Sequence, residues 1–171
     1  MTMFEPSLLR QAETLLQSLR RRGLKLCAAE SCTGGLITSL LTEIAGSSDV
    51  VERGFVVYSN EAKMTMLGVP ESLISNHGAV SEACVRAMAE GALRNSSADI
   101  AVSVTGIAGP GGGSPEKPVG LVHFACASAG GETSHRRQIF EKASRHEIRM
   151  RSVAVALDLV AAQLGVTTRL A

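Results

Sequence analysis

Ala28-Ala29-Glu30-Ser31-Cys32-Thr33-Gly34-Gly35 is the stretch around which the rest of the chain is organised. It follows a short apolar run, residues 24–29, that is typical of a buried strand. It precedes residues 36–41, whose apolar positions recur at helical spacing. The hydroxyl and thiol of this stretch therefore lie beside the free N–H groups of a helix start, which suit an anion or an oxyanion. The two glycines allow a tight turn and the close approach of a ligand.

The flanking sequence alternates helical and strand patterns. Helical spacing, caps and stop signals predict helices at residues 6–19, 36–46, 60–67, 71–76 and 81–95, and a final helix that begins at the capping box Ser144-x-x-Glu147 and ends near Leu164. Apolar runs predict further strands at residues 50–58, 99–104, 119–127 and 133–140. The last two strands are predicted to form a hairpin across Gly130-Gly131, and Gly54 is a candidate bulge. This order predicts an α/β fold, a three-layer α/β/α sandwich around a mixed sheet, with residues 1–171 in one domain.

The composition limits the classes of function. Of the 171 residues, 45% are hydrophobic and only 3% aromatic, so the predicted core consists of Ala, Val, Leu and Ile. The formal net charge of +1 gives no support to a nucleic-acid partner. No apolar run is long enough to span a bilayer and no export signal is recognised, so we expect a cytoplasmic protein without a membrane partner. The four cysteines and four histidines are dispersed, so we expect reduced thiols and neither a metal nor a cofactor.

Ser31 has two readings on the residues alone. It can cap the following helix through its hydroxyl, which is the commoner use of serine at such a position. It can also be a nucleophile whose acyl oxyanion meets the N–H groups near Cys32 and Thr33. Glu30 is either a solvated carboxylate or a group that orients a neighbour. Cys32 is better interpreted as a small buried residue than as a reactive thiol.

Lys63 falls in the first turn of a helix that Ser59 or Asn60 can cap. A cation there opposes the helix dipole, and this placement lowers the pKa of the amine, as a general base requires. The alternative is a flexible lysine in solvent. Tyr58, the only tyrosine, ends the preceding predicted strand, and it either belongs to the core or brings a hydroxyl into the same cleft.

A glycine-rich loop, residues 105–115, follows the predicted strand at 99–104. It fits neither the Walker A pattern nor the dinucleotide pattern of glycines, so both fingerprints are rejected. Open α/β sheets nevertheless bind ligands at the carboxyl ends of their strands, which favours a functional loop over a mobile surface loop. Arg145 and Arg149, one turn apart at the start of the last helix, either form a solvated face or, for Arg145, hold a phosphate.

Four stretches taken in order resemble the CinA C-terminal domain family. They are residues 30–35 (ESCTGG), 53–63 (RGFVVYSNEAK), 77–81 (HGAVS) and 105–112 (TGIAGPGG). The match extends from about Leu24 to Ala127, with a weaker match in the last helix. One departure is that residues 140–145 (FEKASR) lack the Gly-x-Arg turn that members often carry after this phenylalanine.

The resemblance implies an amidohydrolase that converts nicotinamide mononucleotide to nicotinate mononucleotide and ammonia. It implies Ser31 as nucleophile, Lys63 as base and Tyr58 as a proton relay or donor, without a metal; within this scheme Lys63 can instead be an electrostatic stabiliser. The predicted substrate-binding residues are Glu30, Cys32, Thr33, Gly34, Gly35, Asn60, Thr105, Gly106, Gly109, Gly111, Gly112 and Arg145. The expected partners are a small nucleotide substrate and a second copy of the chain in a homodimer.

Two other functions stay open at this point. The chain can be a non-catalytic nucleotide-binding or regulatory module, in which case Ser31→Ala leaves ligand binding unchanged. It can also be an amidase for another small carboxamide, which a substrate panel separates from the first hypothesis.

Overall fold

The computed structural model describes residues 2–168 as a five-stranded sheet covered by helices on both faces. The helices are α1 (Pro6–Arg21), α2 (Leu36–Glu43), α3 (Asn60–Leu67), α4 (Glu71–His77), α5 (Glu82–Arg94) and α6 (Arg145–Gln163), with a short 3₁₀ helix at Ser47–Asp49. The strands are β1 (Leu26–Glu30), β2 (Val51–Val56), β3 (Ile100–Gly106), β4 (Leu121–Ser128) and β5 (Ser134–Ile139). The predicted three-layer α/β/α sandwich is confirmed.

The sheet is mixed, in the order β2-β1-β3-β4-β5. Strand β1 pairs in parallel with β2 and β3, whereas β4 is antiparallel to β3 and to β5 in the predicted hairpin. The predicted bulge at Gly54 is wrong, because the β1–β2 register shifts where Leu26 pairs with Val51 and Cys27 pairs with Arg53. Gly54 instead allows close packing: an added Cβ there would lie 2.3 Å from the Thr38 hydroxyl of α2.

Side chains that alternate along the strands divide the core between the two faces. Leu26 and Ala28 of β1 face the cluster formed with α1, α2 and α6. Cys27 and Ala29 face the opposite cluster, which α3 and α5 complete. Within residues 2–168 no helix is long and apolar enough to cross a membrane.

This topology brings three segments to one edge of the sheet. The parallel strands β1, β2 and β3 end there at Glu30, Val56 and Gly106. The N–H of Ser31 donates to Val104 O (3.1 Å) and that of Val57 donates to Glu30 O (2.8 Å), so the pairing extends past the strand ends. The β1–α2 turn, defined as residues 31–35, thus lies between the start of α3 and the start of α6.

Candidate active site

Ser31 and Lys63, which the sequence suggested as a pair, are in contact. The Nζ atom of Lys63 lies 3.1 Å from Ser31 Oγ. Ser31 is 8% exposed and Lys63 only 1%. Ser59 caps α3 by accepting a hydrogen bond from Ala62 N (3.0 Å), so Lys63 enters from the first turn of that helix as expected. The arrangement is an amine buried against a hydroxyl that retains slight access to solvent.

The surroundings of Lys63 favour its neutral form. Its other hydrogen-bond partners are the carbonyls of Val57 (3.0 Å) and Tyr58 (3.3 Å). Among residues 2–168 no carboxylate pairs with its amine. Burial lowers the pKa of Lys63. The predicted direction is therefore right, but the main cause is desolvation and not the dipole of α3.

Glu30 is fully buried below the turn and caps α2. Its carboxylate accepts hydrogen bonds from the hydroxyls of Thr33 (2.7 Å) and Thr38 (2.8 Å). It also accepts from the N–H groups of Gly35 (3.0 Å), Ile37 (3.0 Å) and Thr38 (2.8 Å). Glu30 thus satisfies helix-start donors that otherwise lack a partner, and its charge lies at the positive end of the helix. The reading of Glu30 as a solvated carboxylate is wrong, and that of an orienting group is confirmed.

The capping interpretation of Ser31 is wrong for the same reason. The N-cap residue of α2 is Gly35, which has no side chain, and the Ser31 side chain does not cap the helix. Gly34 and Gly35 have positive φ angles of 60° and 95°, which favour glycine. The Ser31 hydroxyl is consequently left to Lys63.

Arg149 contacts the turn from the opposite side, a role that the sequence reading missed. Its Nε atom donates to Cys32 O (3.1 Å) and its Nη2 atom donates to Thr33 O (2.9 Å). The half-buried guanidinium reaches the turn from the second turn of α6. Arg149 lies four residues after Arg145 and therefore on the expected helix face. Its contacts with Cys32 and Thr33 could not be predicted, because these residues are distant in the sequence.

Two N–H groups of the turn donate to no other described residue. The N–H groups of Ser31 and Gly34 donate to Val104 O and Ser31 O. The N–H groups of Gly35, Ile37 and Thr38 donate to Glu30, and that of Leu36 donates to Thr33 O. Within residues 2–168, the N–H groups of Cys32 and Thr33 donate to no other residue. The turn therefore has two adjacent unbonded donors next to the Ser31 hydroxyl; Cys32 is slightly exposed and Thr33 is fully buried, so Cys32 is the candidate donor for an oxyanion.

The side chains of Cys32 and Thr33 lie beneath the turn. Thr33 is fully buried and its hydroxyl is bonded to Glu30, while Cys32 is 6% exposed. Burial raises the pKa of the Cys32 thiol to about 12, so the thiol is neutral and unreactive at pH 7. This agrees with the expectation that Cys32 is a small buried residue.

Tyr58 and Arg145 stand together at the mouth of the site. The side chain of Tyr58 is 64% exposed, so it does not belong to the core, and it lies just past β2. Arg145 donates to Gly109 O (2.7 Å) and to the Tyr58 hydroxyl (3.4 Å). In residues 2–168 no carboxylate pairs with the Arg145 guanidinium, so its charge is available to an anion.

The backbone before Arg145 adopts a left-handed conformation without the glycine that family members often carry there. Lys142 has φ 51° and takes the left-handed conformation that glycine commonly provides. The capping box at Ser144 and Glu147 then starts α6 as predicted, with both of its hydrogen bonds formed. Arg145 consequently occupies the first position of the helix.

The remaining predicted positions divide into buried and exposed groups. Thr105 is 1% exposed and its hydroxyl donates to Ala79 O (3.0 Å), so it fixes the segment before α5. Gly106 ends β3 close to Val122, and an added Cβ would lie 2.7 Å from that side chain. Asn60, Gly111 and Gly112 are exposed.

Two surface grooves of about 670 and 590 Å³ lie elsewhere, and neither is lined by Ser31 or Lys63. The second groove contains His123, whose Nδ1 atom lies 3.0 Å from His135 Nε2. Burial and the charge of His135 lower the pKa of His123 to about 4. In residues 2–168, no three His, Cys, Asp or Glu residues are grouped to hold a metal ion.

Comparison with known proteins assigns this arrangement to a family. The model of the CinA C-terminal domain matches residues 9–164. The nicotinamide-nucleotide amidohydrolase PncC of Escherichia coli strain K12 is 51% identical over 156 residues, which cover 91% of this chain and 94% of that protein. A putative competence-damage inducible protein of Symbiobacterium thermophilum is 60% identical over 122 residues, 69% of this chain and 29% of that protein.

Solved structures give the same result. The competence/damage inducible protein CihA from Agrobacterium tumefaciens superposes with a TM-score of 0.94 at 48% identity, covering 96% of this chain and 99% of that chain. A competence damage-inducible protein from Klebsiella pneumoniae superposes with a TM-score of 0.88 at 35% identity, covering 92% and 97% of the two chains.

Proposed function

The chain belongs to the CinA C-terminal domain family, and from this membership and the geometry of the β1–α2 turn we propose that it is a nicotinamide-nucleotide amidohydrolase. It is a hydrolase of a carboxamide C–N bond, and its substrate is a small nucleotide. The 51% identity to the Escherichia coli PncC enzyme over nearly the full length of both chains supports this activity. The proposed reaction converts nicotinamide mononucleotide and water to nicotinate mononucleotide and ammonia.

The observation that carries the mechanism is the buried contact between Lys63 Nζ and Ser31 Oγ. A neutral amine at this distance can accept the Ser31 proton as the hydroxyl attacks the carboxamide carbon. The amide oxygen then becomes an oxyanion, for which the Cys32 N–H is the proposed donor because Thr33 is fully buried. An aryl carboxamide is unreactive because its amine is a poor leaving group, so this activation is needed.

Collapse of the first intermediate breaks the C–N bond. Lys63 returns the proton to the departing nitrogen, which leaves as ammonia, and Ser31 holds the nicotinoyl group as an ester. Water then attacks the ester carbon while Lys63 takes its proton. The second intermediate releases the carboxylate product and restores the Ser31 hydroxyl.

The mouth of the site suits the other end of the substrate. We assign the ribose phosphate to Arg145 and the glycine-rich loop, since Arg145 has no carboxylate partner in residues 2–168 and contacts Gly109. Tyr58 is the proposed second donor to the departing ammonia, which its contact with Arg145 supports. We also propose a cytoplasmic location and a homodimer.

The test is hydrolysis of nicotinamide mononucleotide by the purified chain in the presence of EDTA. Ammonia and nicotinate mononucleotide are measured for the wild type, Ser31→Ala and Lys63→Ala, with Ser39→Ala, an exposed serine of α2, as the matched control. We expect turnover in the wild type and the control and its loss in both site variants. If the folded wild type shows no turnover, the remaining hypotheses are a regulatory module and an amidase that acts on a different carboxamide. Unchanged activity in Ser31→Ala would show that the nucleophile is another group.

A further inference from the structure

His123 and His135 form a pair beside the second surface groove, and the proposed mechanism gives neither of them a task. The Nδ1 atom of His123 lies 3.0 Å from His135 Nε2, and the Nδ1 atom of His135 lies 3.4 Å from the Glu82 carboxylate. His123 is 8% exposed and lines this groove of about 590 Å³, which lies between the start of α5, residues 116–117 and the β4–β5 hairpin. Neither Ser31 nor Arg145 lines it, so the groove is not the proposed reaction centre.

The contacts of the pair determine which imidazole nitrogens carry hydrogen. A carboxylate oxygen 3.4 Å from His135 Nδ1 favours a proton on that nitrogen, because a lone pair there would be repelled. In the neutral ring the Nε2 atom of His135 is then an acceptor, so His123 donates to it through Nδ1. The Nε2 atom of His123 consequently keeps a lone pair that can accept a hydrogen bond.

This Nε2 atom of His123 is open to the groove. Within the described residues it has no hydrogen-bond partner, since the single bond of this imidazole is the one made by Nδ1. No side-chain nitrogen of the described residues is both fully buried and without a partner, so Nε2 must be reached from outside. The groove is the surface that His123 lines. An acceptor on a side chain more than nine-tenths buried therefore has one open direction, which suits a ligand.

Cationic side chains surround this nitrogen. Arg137 is the cross-strand partner of His123 in the β4–β5 pairing, so the two side chains lie on the same face of the sheet. Lys117 also lines the groove, and its amine donates to His77 O (2.7 Å). Burial lowers the pKa of His123 most, and the charges of Arg137 and Lys117 contribute to a value of about 4. His123 is therefore neutral at pH 7, and both positive charges reach it.

The carboxylates that line the groove do not neutralise these cations. Glu82 is paired with Arg86 of the same helix at 2.8 Å. Glu116 is exposed and forms no ion pair within residues 2–168. In the same part of the chain, no carboxylate pairs with Arg137 or Lys117. Two cations and a neutral acceptor thus meet at the groove without a counter-charge, an arrangement that an anion stabilises.

We propose that this groove is a second anion site, which binds a phosphate group through Arg137, Lys117 and His123. The two cations donate to the phosphate oxygens, and His123 Nε2 accepts the P–O–H hydrogen that inorganic phosphate keeps at neutral pH. Sulfate has a similar shape and charge but no such hydrogen, so it leaves Nε2 unpaired. A phosphate ester that carries a hydroxyl group offers the same chemistry as free phosphate. The site goes beyond the proposed reaction and does not depend on it.

The experiment is calorimetric titration of the full chain at pH 7 with inorganic phosphate, sulfate and ribose 5-phosphate at matched ionic strength. The titrations use the wild type and Arg145→Met, in which the proposed substrate phosphate site does not contribute. We expect inorganic phosphate to bind at least about tenfold more tightly than sulfate, because a site built to pair with a hydroxyl rejects an analogue without one. Tighter binding of ribose 5-phosphate would identify an ester as the source of the phosphate, and weaker binding would identify free phosphate.

Two variants and a matched control test the named residues. Arg137→Met removes an exposed cation of β5 and should weaken phosphate binding about tenfold, the effect of losing a hydrogen bond from a charged group. Arg136→Met is the control, since Arg136 pairs with Phe124 and lies on the other face of the same strand. His123→Leu should abolish the preference for phosphate over sulfate, because it removes the acceptor. We expect kcat and KM with nicotinamide mononucleotide to stay unchanged in Arg137→Met.

The outcomes separate this site from the proposed function. Equal affinity for phosphate and sulfate, or phosphate binding that Arg137→Met leaves unchanged, would overturn the site, as would no binding at millimolar phosphate. A rise in KM in Arg137→Met that matches the loss of phosphate affinity would also overturn it, because the groove would then hold the substrate. An inactive wild type that still shows the expected binding would refute the proposed function and keep the site. If His123→Leu does not fold, Arg137→Met and the preference of the wild type for phosphate decide.

Discussion

The two sides of the β1–α2 turn each bury one ionisable side chain, but their environments differ. On the side of α2, the Glu30 carboxylate accepts five hydrogen bonds, three of them from backbone N–H groups. On the side of α3, the Lys63 amine meets only neutral oxygens, from Ser31, Val57 and Tyr58. Glu30 is thus stabilised as an ion, whereas burial disfavours the ionised form of Lys63.

Because of this difference, Glu30 stabilises the turn, whereas Lys63 serves the proposed reaction. A buried charge with a complete set of partners holds the turn rigid, as a preorganised site requires. A buried amine without a counter-charge opposes folding, but its lowered pKa makes the neutral, basic form more populated than in an ordinary lysine. Since the pKa of Lys63 is lower in the folded chain than in the unfolded chain, the unfolded chain binds more protons between the two values. The cost of burying Lys63 is therefore present at neutral pH and disappears as the pH rises through the unfolded value.

The largest expected effect follows from removal of the Lys63 amine. In Lys63→Met the side chain keeps its length but loses the base, so we expect kcat/KM to fall about a thousandfold or more. The melting temperature should stay equal or rise, because the uncompensated amine is gone. Kinetics and thermal unfolding measure both, with the exposed Lys25→Met as control. A large loss of stability in Lys63→Met would show that Lys63 is a structural residue.

The second prediction concerns removal of the Glu30 charge. Glu30→Gln preserves shape but removes the charge and turns one acceptor into a donor that faces donors. We expect the free energy of unfolding to fall by about 3 kcal/mol. Urea unfolding measures this, with the exposed Glu43→Gln at the other end of α2 as control. An unchanged stability would show that the charge of Glu30 does not hold the turn.

The third prediction tests the protonation state of Lys63 without a mutation. If the neutral Lys63 amine is the base, kcat/KM should fall about tenfold per pH unit below the pKa of Lys63 and reach a plateau above it. Because burial lowers that pKa, the plateau should begin below 10.5, the value of an ordinary lysine. The measurement is a pH profile with nicotinamide mononucleotide. A profile that still rises up to pH 10.5 would show that the pKa of Lys63 is not lowered, and one that falls as the pH rises would indicate that Lys63 acts as a cation.

The sequence predicted the fold where the pattern was periodic. The apolar spacing in α1 and α5 and the capping box of α6 depend on residues within one or two turns, and these elements were confirmed with small differences at their ends. The irregularity between β1 and β2 was predicted at Gly54 and occurs beside Glu52, because close packing on Thr38 and not a bulge requires the glycine. A glycine within a strand does not by itself distinguish these two causes.

The site was predictable in composition but not in its connections. The strand-to-helix turn and the cap of α3 made Ser31 and Lys63 candidates, the family resemblance implied their roles, and the structure brings them to 3.1 Å. The parts of Glu30 and Arg149 could not be read locally, since Glu30 folds back on residues up to Thr38 and Arg149 arrives from the last helix. Such contacts are set by the packing of distant elements, which a pattern of neighbouring residues does not contain.

The origin of Arg149 in the last helix has a consequence for synthesis on the ribosome. Ser31 and Lys63 are both made within the first 63 residues, but β3, which pairs with β1, and the arginine of α6 follow much later. Residues 64–149 take on the order of ten seconds to translate. A nascent or truncated chain that ends before Arg149 therefore contains Ser31 and Lys63 but lacks the contacts that Arg149 makes with the turn. Under the proposed mechanism, we expect catalysis only from a nearly finished protein.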